Sequence, residues 1–192
     1  MTAHSAWEAM LRLAMTAGLA AMAMASAAWA QTETPVCSAP FGTLLGKEAF
    51  DAQAVPTPAT TARPAAPIIK HGMARLFRTA LREGAKQPPN FAGHYTIVEI
   101  GCGAGTRCPA ILDAQTGKVF FPPELKVAEA LLMDVGHANF ETLNYRRDSR
   151  ILIVVGTPNE NYGQAGVYSY VWRDDRLSLF RFVPTAKICG GG

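Results

Sequence analysis

At 192 residues, 49% of them apolar and 17% charged, the chain has enough apolar side chains for one domain core. Its charged share lies below the ~25% usual for soluble domains. Eighteen Lys and Arg against 15 Asp and Glu give a formal charge of +3. The basic residues form no single dense run, which argues against nucleic acid as a partner.

Residues 1–30 read as a secretory signal peptide. A short n-region ends at Arg12, an apolar Ala/Leu/Met-rich stretch follows, and Ala28-Trp29-Ala30 supplies an A-x-A cleavage signal before Gln31. Met10 offers a second possible start with a cleaner n-region. The apolar run is short for a membrane anchor, so no stable membrane insertion is expected after cleavage. The expected location is the periplasm or the exterior of a bacterial cell.

Export changes the meaning of the cysteines. All four (Cys37, Cys102, Cys108, Cys189) follow the leader. An even number in an oxidising compartment predicts two disulfides, with three possible connectivities. Cys102 and Cys108 flank GAGTR, a loop that glycines can bend shut. The favoured pairs are Cys102–Cys108 and Cys37–Cys189. Chain entropy gives them upper values of ~2.4 and ~5 kcal/mol. A metal site using two cysteines with His94 or His137 lacks zinc-site spacing, so no metal is expected.

Residues 31–68 form a Pro/Ala/Thr-rich extended segment. VPTPATTARPAAP is linker-like, and Phe41 to Phe50 has the makings of a short turn or helix. Residues 69–192 are read as a single α+β domain. Ile69 to Gly84 reads as its main amphipathic helix, with Met73, Leu76, Phe77, Ala80 and Leu81 at i, i+3, i+4, i+7 and i+8. Arg75, Arg78, Arg82 and Lys86 lie largely off that face. They read as a solvated surface, with an anion or membrane-surface contact as the alternative. Pro88-Pro89 stops the helix.

Asn90 to Tyr95 then turns the chain into a strand, Tyr95 to Ile100. Ala110 to Asp113 is the next strand, and DAQTGK is a hairpin turn with Gly117 at positive φ. Val119 to Phe121 returns antiparallel. Glu124 to Met133 reads as a short helix and Asn139 to Tyr145 as a strand. Ile151 to Val155 is the most apolar strand and belongs in the sheet centre. Gly156 to Gly166 is a long polar loop. Val167 to Trp172 and Leu177 to Val183 make a last hairpin over Arg173-Asp174-Asp175-Arg176. The fold class expected is therefore α+β: an antiparallel sheet of about six or seven strands with one N-terminal amphipathic helix packed on it.

IVEIGCGAGT resembles the glycine-rich first motif of class I methyltransferases, but Cys-Pro and the strand-like AILDA follow where a helix would be needed. AILDAQTGKVFF resembles a quinoprotein propeller hairpin, yet the chain holds barely two blades. PPNFAGHY, the Cys loop, the DAQTGKV hairpin, Asp148-Ser149-Arg150 with its apolar strand, and the aromatic hairpin with Trp172 together resemble a family of exported bacterial proteins of unknown activity. The matching pieces span most of the chain after Pro88, with a lengthened Cys loop as the departure. That resemblance implies a fold, not an activity.

No Ser/His/Asp arrangement or HExxH appears, and Ser149 lacks a Gly-x-Ser-x-Gly elbow. The candidate binding residues are His94 and Tyr95 at the first strand, Arg107 in the Cys loop, and Asn159, Asn161 and Tyr162 on the long polar loop. No cofactor is expected. The function expected is a non-enzymatic binding or inhibitor-like module, taking an envelope protein or a small ligand. The alternative is a cell-envelope hydrolase using His94 with Glu99 or Asp113.

Overall fold

A computed structural model of the protein describes residues 39–57, 63–103, 105–130 and 141–189. The expected signal peptide, Cys37 and His137 fall outside these residues, as does the side chain of Cys189. The Cys37–Cys189 pairing therefore lies outside them too.

The architecture is α+β. Short helices α1 (Ala39–Leu44), α2 (Lys47–Asp51), α3 (Gly72–Leu76), α4 (Arg78–Gly84) and α5 (Thr185–Cys189) surround one antiparallel sheet. The sheet has eight strands among the described residues, more than the six or seven expected. They are β1 (Tyr95–Gly103), β2 (Thr106–Asp113), β3 (Val119–Phe120), β4 (Ala128–Ala130), β5 (Leu143–Tyr145), β6 (Ile151–Pro158), β7 (Gly166–Arg173) and β8 (Arg176–Pro184). The strand order is β1-β2-β4-β6-β7-β8, with β3 beside β2 and β5 beside β6.

Alternation along the strands divides the apolar side chains among three clusters. Ile97, Ile111, Leu152, Val154, Tyr168, Tyr170 and Trp172 share a central core. Ile151, Ile153, Val155, Val167 and Val171 face the other way on β6 and β7, under Leu44, Phe50 and Ile188 from α1, α2 and α5. Val98, Ile100, Cys108 and Ala110 face outward on β1 and β2, under Leu81 of α4. The residues before Ile69 thus contribute to the packing.

The central cluster requires a strongly curled sheet. Four strand intervals separate β1 from β7, which is roughly 19 Å in a flat sheet. Yet the Tyr95 and Trp172 rings meet edge to face with centroids 5.5 Å apart. Phe120 meets Trp172 at 5.4 Å, and Phe91 meets Tyr145 at 6.4 Å. β4 makes the curl possible. It pairs with the start of β2 through Thr106 and Arg107, and with the end of β6 through Gly156 to Pro158. Among the described residues it is the only strand joining the two halves of the strand path.

Three expectations need correcting. The expected polar loop from Gly156 begins later, because β6 runs on through Gly156 to Pro158, which are buried and pair with β4. The stretch after Pro122 is a 3₁₀ turn, Pro123–Leu125, followed by β4, rather than a helix. Leu125 and Ala128 are both fully buried, so the three-residue spacing is real. Pairing with β2 and β6 on its two sides overrides helical propensity. The amphipathic helix is likewise divided in two at Phe77, where the backbone leaves helical geometry (φ −98°, ψ 23°). Phe77 packs beside Phe121, with ring centroids 6.3 Å apart. Only α4 turns the expected face inward: Leu81 is buried, whereas Met73 and Leu76 of α3 are 42% and 67% exposed.

The Cys102–Cys108 disulfide forms, with Cα atoms 5.9 Å apart. It closes the tip of the β1–β2 hairpin, where the register shifts between Gly101 and Gly103. Antiparallel strands therefore flank the glycine-rich bend on both sides, and no helix springs from it. The turn after β2 is also as expected. The Asp113 carboxylate accepts the N–H of Gln115 (2.8 Å) and of Thr116 (3.3 Å), and the Thr116 hydroxyl (2.5 Å). The extended segment docks on this turn, with Ile68 donating its N–H to the Gly117 carbonyl and Ala65 to the Ala114 carbonyl.

Gly117 has φ +77°, and a Cβ there would overlap the Ala66 carbonyl. Gly117→Ala should cost upward of ~1 kcal/mol in urea unfolding, with faster proteolysis within residues 63–68. A second expectation concerns alkaline pH. Burial, then the neighbouring Tyr168 and Glu124, pushes the Tyr170 phenol from its ordinary 10.0 up to about 12. The fold favours the neutral phenol, so that stabilisation is complete below pH 10.0 and is lost as pH rises through about 12. Tyrosinate absorbance in this window should lag behind that of the urea-unfolded chain, and urea midpoints should fall across it.

Candidate functional site

The site grows from the Asn90–Tyr95 turn. The Asn90 side chain grips the backbone of Ile97 twice: its amide donates to the Ile97 carbonyl (3.2 Å), and its oxygen accepts the Ile97 N–H (2.8 Å). Phe91 and Tyr95 exchange backbone N–H···O bonds, each 2.9 Å. Between them Ala92 and Gly93 take positive φ, 45° and 85°. For an alanine that conformation costs about 1–2 kcal/mol, so the surroundings must impose it. Gly93 is held by the neighbouring loop: its N–H donates to the Arg147 carbonyl (2.6 Å), and the Arg147 guanidinium donates to its carbonyl (3.2 Å). Phe91 anchors the turn in the central core, fully buried. The tight turn leaves His94 and Tyr95 at the rim of a cleft.

That cleft has a volume of about 390 Å³. Its walls come from four places in the chain: Val55 and Pro56, the Ala92–Tyr95 turn, Arg150 before β6, and Trp172, Arg173 and Asp174 at the β7–β8 turn. The last of these is a two-residue hairpin turn with Asp174 and Asp175 both at positive φ, 51° and 59°. That geometry matches the twist of the strands. Arg150 is anchored by its backbone on both sides, donating to Gln53 (2.9 Å) and accepting from Trp172 (2.9 Å). Arg150 as a residue is exposed. Among the described residues neither Arg150 nor Arg173 has a carboxylate partner. Arg173 makes one long bond, 3.4 Å, to the Gln53 side-chain oxygen.

Electrostatics follow this arrangement. Burial raises the pKa of the Tyr95 phenol most, and the Trp172 indole and the Arg150 charge partly offset it. His94 Nε2 lies 3.8 Å from Asp113 Oδ1, an ion pair only when the imidazole is protonated. That separation exceeds a hydrogen bond. The His94 and Tyr95 rings lie 4.2 Å apart, tilted by 33°. The cleft lining therefore combines two arginines and an imidazole with two aromatic rings and the acid Asp174, while Asp113 and Asp175 lie close enough to act on the Tyr95 phenol. Such a surface attracts an anionic group borne on a flat apolar body. The cleft lining includes no Ser, Thr or Cys nucleophile.

The other expected site residues lie elsewhere. Arg107 pairs in register with Ala128, and Ala128 with Pro158, so Arg107 and the Asn159–Tyr162 loop sit at the far end of β6. There Asn159 acts as a staple: its oxygen accepts the Lys126 N–H (2.8 Å) and its amide donates to the Glu124 carbonyl (3.0 Å). Asn161 bonds to Gln164 (3.1 Å). Tyr162 is 66% exposed, and its phenol is raised chiefly by a hydrogen bond to Glu129. Glu99, one of the two carboxylates considered for His94, instead accepts the Tyr145 hydroxyl at 2.9 Å. Arg150, Trp172, Arg173 and Asp174 were not among the sequence candidates. Their only signal was position, beside the turns that open β6 and join β7 to β8.

Comparison with protein-family models, curated proteins and solved structures gave no match.

Asn90→Ala should remove both bonds to Ile97 and loosen the turn. The expected cost is about 1–3 kcal/mol in urea unfolding, with the Ile97 amide exchanging faster than its β1 neighbours.

Proposed function

We propose that the protein is an exported, non-enzymatic binding module that takes a small anionic ligand in the His94–Trp172 cleft. Export rests on the signal-peptide pattern and suits the Cys102–Cys108 disulfide, which persists in oxidising compartments. The binding reading rests on one observation above the others: Arg150 and Arg173 line the same cleft as Tyr95 and Trp172, and among the described residues neither has a carboxylate partner. A carboxylate or phosphate would pair with the arginines while its carrier lies on the aromatic faces.

Trp172 is the only tryptophan after Gln31, so its fluorescence reports directly on the cleft of the leaderless protein. Benzoate, a sugar carboxylate and a phenyl phosphate should change that fluorescence, and their neutral amides or esters should not. A ligand at ~100 times its Kd stabilises by ~2.7 kcal/mol, a rise of roughly 5–10 °C in Tm for a domain of this size. The double variant Arg150→Ala/Arg173→Ala should lose both responses. Equal responses from the variant, or from the neutral analogues, would sink the reading.

A hydrolase using His94 remains the second reading, because His94 lies 3.8 Å from Asp113. Against it, the Asp113 oxygens already accept three donors from their own turn, which leaves them poorly placed to orient the imidazole. Turnover of p-nitrophenyl esters or phosphates that vanishes in His94→Ala would favour the hydrolase over the binding module.

A further inference from the structure

The segment that leads into and forms α3 and α4 has no acidic residue from Ala52 to Arg82, while Arg63, Lys70, Arg75, Arg78 and Arg82 fall in that interval; the α3–α4 residues are not among those lining the cleft. The same stretch exposes three large apolar side chains: Ile68 (44%), Met73 (42%) and Leu76 (67%). The break at Phe77 sets this pattern. It lets α4 bury Leu81 against β1 and β2 while α3 leaves Met73 and Leu76 facing solvent. Ile68 and Met73 border a shallow groove whose rim carries Lys70 and Lys118. Lys70, Arg75, Arg82 and Lys118 have no carboxylate partner among the described residues. The nearest acid along the chain, Glu83, is held by Lys86 at 2.7 Å.

We infer that this face docks on a bilayer surface carrying anionic phospholipid. Apolar side chains with cations around them suit a membrane interface: the side chains enter the headgroup boundary while the cations meet lipid phosphates. Single exposed apolar side chains are ordinary on a solvated face, but Ile68, Met73 and Leu76 are exposed within nine residues of one another. A protein partner would have to place carboxylates at fixed points to match these cations, whereas a bilayer supplies phosphate over its whole surface. The contact is peripheral. None of the helices among the described residues is long and apolar enough to cross a membrane.

The inference does not rest on the ligand cleft, and the test uses none of the cleft residues. Leaderless protein is sedimented with vesicles of phosphatidylcholine alone and of phosphatidylcholine with phosphatidylglycerol, at low and at raised salt. Binding is expected to the mixed vesicles only, falling as salt screens the cations. Arg75→Glu/Arg82→Glu and Met73→Ser/Leu76→Ser should each lower binding about tenfold or more. All four side chains are exposed; unchanged circular dichroism and Tm would show that both variants fold. No binding to mixed vesicles overturns the inference. So does binding that survives either double substitution, and so does equal, salt-sensitive retention of the Met73→Ser/Leu76→Ser variant and the parent on heparin and on vesicles, since that pattern describes a polyanion surface without an apolar anchor.

Discussion

The edge-to-face contact between Tyr95 on β1 and Trp172 on β7 is the constraint on which the rest of the structure depends. Strands four intervals apart meet through these rings, so the sheet must curl until its inner face becomes a core. The curl gives β1, β2, β6 and β7 a buried inner side, to which β8 adds Leu177, and it leaves two outer faces that need covers. α1, α2 and α5 cover one, and α4 covers the other. The same contact sets the cleft, because the rings that close the sheet also form its wall. Stability and the candidate site therefore share residues, and a substitution at Trp172 acts on both.

β4 carries a second constraint. Three residues, Ala128 to Ala130, bridge two halves that otherwise pair internally. So short a strand supplies few ladder bonds, and the aromatic packing must hold the halves together. This accounts for the concentration of Phe91, Tyr95, Phe120, Tyr145, Tyr168 and Trp172 in or against the central cluster, where large rings bury much area at small entropic cost.

The cleft and the α3 face are built from opposite choices. In the cleft, backbone bonds hold each wall: Gly93 to the loop at Arg147, Arg150 between Gln53 and Trp172. A site so organised presents its guanidinium groups without first having to order the chain. On the α3 face the apolar side chains are simply left uncovered by a break in the helix. One arrangement suits recognition of a small solute, and the other suits a broad, deformable surface.

Much of the fold was legible in the sequence because it is local. The alternation along Tyr95 to Ile100, the Asp113 turn with Gly117, the Cys102–Cys108 closure and the last hairpin each follow from a few adjacent residues. The division of the helix at Phe77 and the strand at Ala128–Ala130 were not legible, because pairing and packing with distant strands decide them. The candidate residues divide in the same way. Residue type and loop position marked His94 and Tyr95. Nothing local could show that Arg150 and Trp172 belong beside them, or that Arg107 and Asn159 belong at the other end of β6. Those placements follow from the curl of the sheet, and the curl arises from contacts between residues far apart in the chain, which local periodicity cannot encode.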